Sequence, residues 1–231
     1  MTPAVDEKRK KVERPELDTL GNAVHNRLTW LQEGYVNERD VPLAVQNLAE
    51  LRRGAGRLPE DVPEFLGEDY GLDEVWIADD RPIRAAHVAL TLYARHQQSL
   101  RTPDLRMYRW HSPDTQRPSL VHNLGWAVRR LMPAQEISSP IRQRFVQVGK
   151  ATTVTIMAER MRGLIDLMRR DRIPLDYALL AEHMLLAQRP GGMRQVRRAW
   201  DHGFNAYRPP KPTAEQTSAD DDTDHTDKDA P

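Results

Sequence analysis

An all-α chain made of two small helical bundles is what the sequence predicts, and three observations carry that expectation. Apolar residues recur at helical spacing in one segment after another. No stretch alternates polar and apolar residues in the manner of a strand, and breaks containing Pro or Gly separate the periodic segments. The pattern divides the chain into a mobile arm (1–15), an N-terminal helical half (16–100), a Pro-containing connection (101–118), a basic C-terminal bundle (119–207) and a disordered acidic tail (208–231).

Residues 1–15 mix charge with Pro and have no period, so the run from Lys8 to Lys11 is either a solvated tail or a contact for a polyanion. The first helix is expected from about Glu16 to Gln32, with Leu20, Val24, Leu28 and Leu31 on one stripe and Gly34 beyond its end. Trp30 lies off that stripe, facing a second element or a partner. A second helix begins near Asp40 and buries Val41, Val45 and Leu48. It leads into Leu51-Arg52-Arg53-Gly54-Ala55-Gly56-Arg57, where three arginines surround two glycines. Charge and backbone access together are what a phosphate-contacting corner needs. Arginines placed at a helix C-terminus for dipole reasons give the same pattern. The spacing is not that of a nucleotide-binding loop. Pro59 to Asp80 is acidic and turn-rich, with at most a short helix around Val62 to Leu66. Asp80 then caps a helix carrying Ile83, Ala86, Leu90 and Tyr93, which runs to about Gln98.

After the connection, Ser119 caps a helix with Leu120, Leu124, Val128 and Leu131; Arg129 and Arg130 sit near its end, and Pro133 stops it. Ser138 or Ser139 caps the next, which opens on Pro140 and turns Ile141, Phe145 and Val148 inward. Arg142, Arg144 and Lys150 remain nearer water. Val154, Met157, Met161, Leu164, Ile165 and Met168 form the following stripe, and Arg162 and Arg169 stand two turns apart along one edge of it. Asp176 caps the helix of Leu179, Leu180 and Met184, which ends at Pro190-Gly191-Gly192. The last helix lines up Val196, Trp200, Phe204 and Tyr207 and sets Arg194, Arg197 and Arg198 away from them.

A formal charge of zero conceals segments of opposite sign. The balance is −5 over residues 1–100, +10 over 101–210 and −5 over 211–231, which makes the second half a candidate anion binder. Arginine outnumbers lysine 28 to 6, as bidentate phosphate contacts favour and as a GC-rich genome also produces. Cysteine is absent, which excludes thiolate chemistry and cysteine-ligated zinc and fits a reducing compartment. No apolar run approaches the roughly 20 residues of a membrane span, and no signal peptide is evident, so a cytoplasmic protein without a membrane partner is expected.

No motif assigns chemistry. The eight histidines never pair at metal-ligand spacing, and His122 and His183 are expected as surface or boundary residues. Neither a nucleophile motif nor a dinucleotide loop occurs, so no enzyme, cofactor or metal is expected. The methionines of the Thr153–Arg170 segment and Trp200 fall on helical stripes and are expected in the core.

Five segments, taken in order, resemble a known family. They are Leu48 to Gly54, Ser119 to Leu131, Ile141 to Phe145, Met161 to Ile165 continuing through Ile173 to Tyr177, and Arg198 to Phe204 with its Trp and the Phe four residues on. Together they look like the CasB small subunit of type I-E CRISPR surveillance complexes (Cascade), over most of residues 17–207. The resemblance implies an all-helical, non-catalytic subunit present in two copies and touching the backbone and large subunits. It would help to hold the target strand paired to the CRISPR RNA and the displaced DNA strand. Carried over by position, it points to Arg52, Arg53, Arg142, Arg144 and Arg162; the charge pattern alone adds Arg169, Arg197 and Arg198, with Arg57, Arg129 and Arg130 as weaker candidates. A free-standing helical DNA-binding regulator and a protein-only helical adaptor are the alternatives.

Overall fold

The computed structural model describes residues 19–36, 41–72, 79–109 and 123–207. Lys8 to Lys11, Asp40, Ser119, Leu120, His122 and the acidic tail fall outside them. The described residues form α1 (Thr19–Val36), α2 (Pro42–Leu51), α3 (Asp80–His96), α4 (Leu124–Arg130), α5 (Ser139–Gly149), α6 (Val154–Arg170), α7 (Tyr177–Ala187) and α8 (Gly192–Ala206). Short 3-10 turns follow α2 and α3. Extended pairing among the described residues is limited to one parallel bridge between Tyr108 and Leu175. The all-α expectation holds.

α3 lies at the centre. It packs on α1, α2, α6 and α7, and its alanines (Ala85, Ala86, Ala89 and Ala94) are fully or almost fully buried, so neighbouring helices approach its backbone on several sides. Helices from both ends of the sequence meet on it, and one hydrophobic core runs from Leu20 on α1 to Trp200 on α8. The expected stripes of α1 and α7 are buried, as is that of α6 apart from the half-buried Val154; on α8, Val196 and Trp200 are buried, while Phe204 and Tyr207 are half-buried against the core. On α5 only Val148 is buried; Ile141 and Phe145 are half-buried against the core.

Several boundaries differ from the sequence expectation for identifiable reasons. Gly34 does not end α1 but lies inside it, where a methyl group would come within 2.6 Å of Ala44 Cβ. That close approach turns Ala44, Leu48 and Leu51 of α2 inward and leaves Val41 and Val45 only half-buried. The cap of α3 is Asp79 rather than Asp80: its carboxylate accepts from the Arg81 N–H at 2.9 Å. The cap of α4 is Asn123, whose Oδ1 accepts from the Trp126 N–H at 3.1 Å. Its Nδ2 also donates to the Ala199 carbonyl at 2.7 Å, tying α4 to α8. At that crossing a methyl group on Gly125 would strike the Trp200 carbonyl. Asp176 caps α7 as expected, accepting from the Leu179 N–H at 3.0 Å.

The histidines depart most from expectation. His183 is buried, and so are His87 and His96. Each is held by an aromatic partner: the Trp200 indole N–H donates to His183 Nδ1 at 3.0 Å, while the hydroxyls of Tyr70 and Tyr177 lie 2.7 and 2.8 Å from Nδ1 of His87 and His96. An indole can only donate, so His183 Nδ1 must be unprotonated. Burial pulls these side chains down from 6.5, to about 4 for His87 and His183 and about 3 for His96. The fold thus takes the neutral imidazole, whereas an unfolded chain accepts a proton near pH 6.5.

Stability is accordingly expected to be complete above pH 6.5 and to fall as pH drops toward 4, by about 4 kcal/mol per pH unit when all three act together, since each proton is worth about 1.4 kcal/mol per unit. Thermal melts followed by circular dichroism between pH 7.5 and pH 5 check this, and a constant Tm would contradict it. Trp200→Ala removes a buried aromatic and the His183 partner, with an expected loss of about 3 to 5 kcal/mol by chemical denaturation.

Candidate nucleic-acid interface

The arginine-rich corner after α2 owes its place to α3. Gly54 sits against that helix so closely that a methyl group would lie 2.8 Å from His87 Cε1 and 2.9 Å from Thr91 Cγ2. The chain then bends at Gly56, where φ is +85°, a conformation that strongly favours glycine. The exposed edge of the bend meets α6: a methyl group on Gly56 would be 3.1 Å from Arg162 Cδ. One residue further along α6, Gly163 leaves room for the guanidinium of Arg144 on α5, which would lie 3.7 Å from a methyl group there. The corner and α5 therefore both meet α6, with Arg162 against Gly56 and Arg144 against Gly163. Arg53 and Arg57 flank the corner in sequence and complete this ridge; all four arginines are exposed, and none of their guanidinium groups forms an ion pair or hydrogen bond with a described residue.

The remaining sequence candidates separate by what their guanidinium groups touch. Arg52 donates from Nε to the Leu48 carbonyl at 2.8 Å, in the last turn of α2. Arg169 donates to the Gln98 carbonyl at 3.0 Å, just past the end of α3. Arg197 donates to the Gly149 carbonyl at 2.7 Å, at the end of α5, and Arg160 reaches the Gln147 carbonyl of the same helix. The last carbonyls of a helix lack intrahelical partners and carry the negative end of its dipole, so these three sites place cations on helix C-termini. Arg142 is exposed, but two residues from Arg144 it stands about 200° around α5 and lies on the opposite edge of the Ile141–Phe145 stripe. Arg198 is exposed on the outer side of α8, beside Asp201 and His202.

Arg129 and Arg130 face inward. Arg129 donates to the Pro133 and Ala134 carbonyls at 2.9 and 2.8 Å and covers the Tyr207 ring. Arg130 lies over the Trp126 ring at 4.9 Å, and burial holds its guanidinium below the ordinary arginine range. On α6, Asp166 falls between Arg162 and Arg169 and is taken by Arg95 through two bonds of 2.6 and 2.9 Å. Asp166 is thereby matched; Glu159, one turn before Arg162 and also against Gly56, is exposed and makes no ion pair with Arg162. Arg57 gains most from the fold, since sequence spacing shows it only as one arginine of a loop and gives no sign that the residue before it, Gly56, meets α6. Among the described residues no group of three or more His, Cys, Asp or Glu could hold a metal ion, and no helix is long and apolar enough to cross a membrane.

The family profile of CRISPR-associated protein Cse2 matches residues 47–204, from the middle of α2 to the end of α8. The chain belongs to the Cse2 family. All four ridge arginines lie within the matched region, as do the Gly54 and Gly56 positions that build the corner. Among solved structures the Cse2 chain is similar to CasB from Thermobifida fusca, with 44% identity over 83% of this chain and 100% of that one and a TM-score of 0.65. It shares its fold with a chain of a CRISPR RNA-guided surveillance complex, at 18% identity over 80% of this chain and 95% of that one, with a TM-score of 0.53. No curated protein matches it.

The division between carbonyl-bound and free arginines is measurable on neighbouring residues. Arg197→Ala leaves the Gly149 carbonyl without its donor and is expected to cost about 1 kcal/mol in urea denaturation, whereas Arg198→Ala is expected to stay within about 0.5 kcal/mol of wild type. Equal losses would show that Arg197 does not cap α5.

Proposed function

We propose that this Cse2-family chain is the non-catalytic small subunit of a CRISPR RNA-guided surveillance complex, working in the cytoplasm in antiviral defence. In this role it holds nucleic-acid backbone without reading sequence. The observation that carries the reading is that the corner ending in Arg57 meets Arg162 of α6 at Gly56 while Arg144 of α5 meets the same helix at Gly163, with no described acidic partner for any of the three guanidinium groups. Arg53 extends this ridge. A planar guanidinium matches phosphate oxygens in bidentate geometry, and backbone contacts of this kind position a strand but specify no base. Arg142 and Arg198 widen the surface, while Arg52, Arg169 and Arg197 keep donor groups beyond the one bonded to a carbonyl.

The substrates are the target strand paired to the CRISPR RNA and the displaced strand. Exchange of a DNA duplex for an RNA–DNA duplex is nearly balanced, so a few protein–phosphate contacts can tip it toward the open loop. Within the assembly the partners are the backbone and large subunits and a second copy of the chain. A subunit held there meets the strand at high effective concentration, which turns weak intrinsic binding into retention.

The test is fluorescence anisotropy of short single-stranded DNAs of unrelated sequence at several salt concentrations. Wild type is expected to bind all of them alike, with log K falling by about 0.7 for each phosphate neutralised per decade of salt. Arg144→Glu with Arg162→Glu is expected to weaken binding at least about tenfold at low salt and to flatten the slope by about 1.4, the share of two phosphates. Its Tm should remain that of wild type, since neither side chain fills the core. Affinity unchanged by the double reversal would favour a protein-only adaptor. Strong preference for one duplex sequence would favour a regulator.

A further inference from the structure

The acidic segment 211–231 lies beyond the region that matches the Cse2 family, which ends at Phe204. Its balance is −5, with Glu215, the run Asp220-Asp221-Asp222, Asp224, Asp227 and Asp229. The chain enters this segment directly from the basic bundle. Tyr207, just past α8, is held edge-on to Trp126 with ring centroids 5.9 Å apart, and Arg129 lies 5.6 Å from its ring centre. The start of the tail is therefore anchored at the C-terminal end of α8.

The nearest free cations are on α8 itself. Arg194 and Arg198 are four residues apart and share one face of the helix; both are exposed, and neither guanidinium has a hydrogen-bond or ion-pair partner among the described residues. A groove along this outer side is lined by Arg198, Asp201, His202, Asn205 and Ala206. Arg198 stands nine residues before Tyr207, about 14 Å back along the helix axis. The first tail acid, Glu215, is eight residues beyond Tyr207 and can span at most about 28 Å. Asp201 lies beside Arg198 in this groove but forms no ion pair with it, so reach and sign coincide with two arginines that no described acid has taken.

We infer that the segment 211–231 docks through its carboxylates on Arg194 and Arg198 of α8 and is displaced from them by nucleic acid. It is an intrachain occupant of part of the basic surface, so only a polyanion denser in charge, such as a phosphate backbone, dislodges it. The displacement step rests on the function proposed above; the docking step does not. A tether of this length gives millimolar effective concentration, enough for contacts too weak to persist between separate molecules.

The full chain has no cysteine, so Ser218→Cys takes a single nitroxide label next to the Asp run. In low salt, paramagnetic broadening is expected at the amides of α8 around Arg194 and Arg198, with loss of the effect in 0.5 M salt and in Arg194→Glu/Arg198→Glu. Single-stranded DNA is expected to relieve the broadening. Tail neutralisation in the full chain (Glu215→Gln and all six tail aspartates to asparagine) is expected to strengthen binding of that DNA about tenfold, the ratio of a millimolar tether to a Kd near 0.1 mM. Unbroadened α8 amides at low salt would overturn docking whatever the DNA does. Broadening that persists when DNA binds would overturn the competition. Failure of both tail forms to bind DNA, with broadening present, would remove the proposed function and the competition and leave docking in place.

Discussion

The burial of α3 is the constraint on which the rest depends. From Ala85 to Ala94 every residue of this helix is buried by α1, α2, α6 and α7 or the segments beside them, yet its sequence carries His87, Thr91 and His96 in the core. Each finds a partner inside, the two histidines through Nδ1. His87 takes the Tyr70 hydroxyl, Thr91 donates to the His87 carbonyl at 2.7 Å, and His96 takes the Tyr177 hydroxyl. Those partners come from the acidic loop, from α3 itself and from α7, so the polar bonds fix which segments lie next to the central helix. Hydrophobic burial supplies most of the driving force; the buried hydrogen bonds select one arrangement, because an unmet polar group in the core is costly.

The same helix organises the charged surface. Its packing against Gly54 sets the corner after α2, and its Arg95 binds Asp166 of α6. The last turn of α3 continues into Gln98, whose carbonyl holds Arg169. Arginine serves in three ways: it caps the ends of α2, α3 and α5, it neutralises Asp166 of α6, and it stands free on the ridge. The last use leaves the whole guanidinium open, whereas the capping arginines keep their charge but commit a donor to a carbonyl. A net positive half of the chain does not by itself imply a binding surface, since much of its charge can be spent on internal carbonyls.

Periodicity made the stripes of α1, α6 and α7 legible, because the side chains recurring every three or four residues are the ones that pack. Asp176 was legible as a cap for the same local reason. Asp79 and Asn123 were missed as caps because their roles depend on where the chain enters the helix, and two polar residues in a row do not say which does so. α3 was recognised as a helix from Leu90 and Tyr93, but its central position was hidden: His87 and Thr91 read as polar, and the tyrosines that satisfy histidines are distant in sequence. The resemblance to CasB placed five arginines on the candidate list, and charge added three. Neither could tell Arg197 from Arg198, since a carbonyl at Gly149 and open solvent are distinguished only by the folded neighbours of α8. Arg57 was undervalued because only the fold brings its neighbour Gly56 against α6.

The central claim is that Arg53, Arg57, Arg144 and Arg162 form one surface that meets a phosphate backbone. The most direct measurement is arginine-specific footprinting with phenylglyoxal, read by mass spectrometry, on the protein with and without single-stranded DNA. All four are expected to react in the free protein and to be protected together when the strand is bound, while the exposed Arg170, held by Asp171 at 2.7 Å, changes little. Protection of residues elsewhere with these four unchanged would contradict the account.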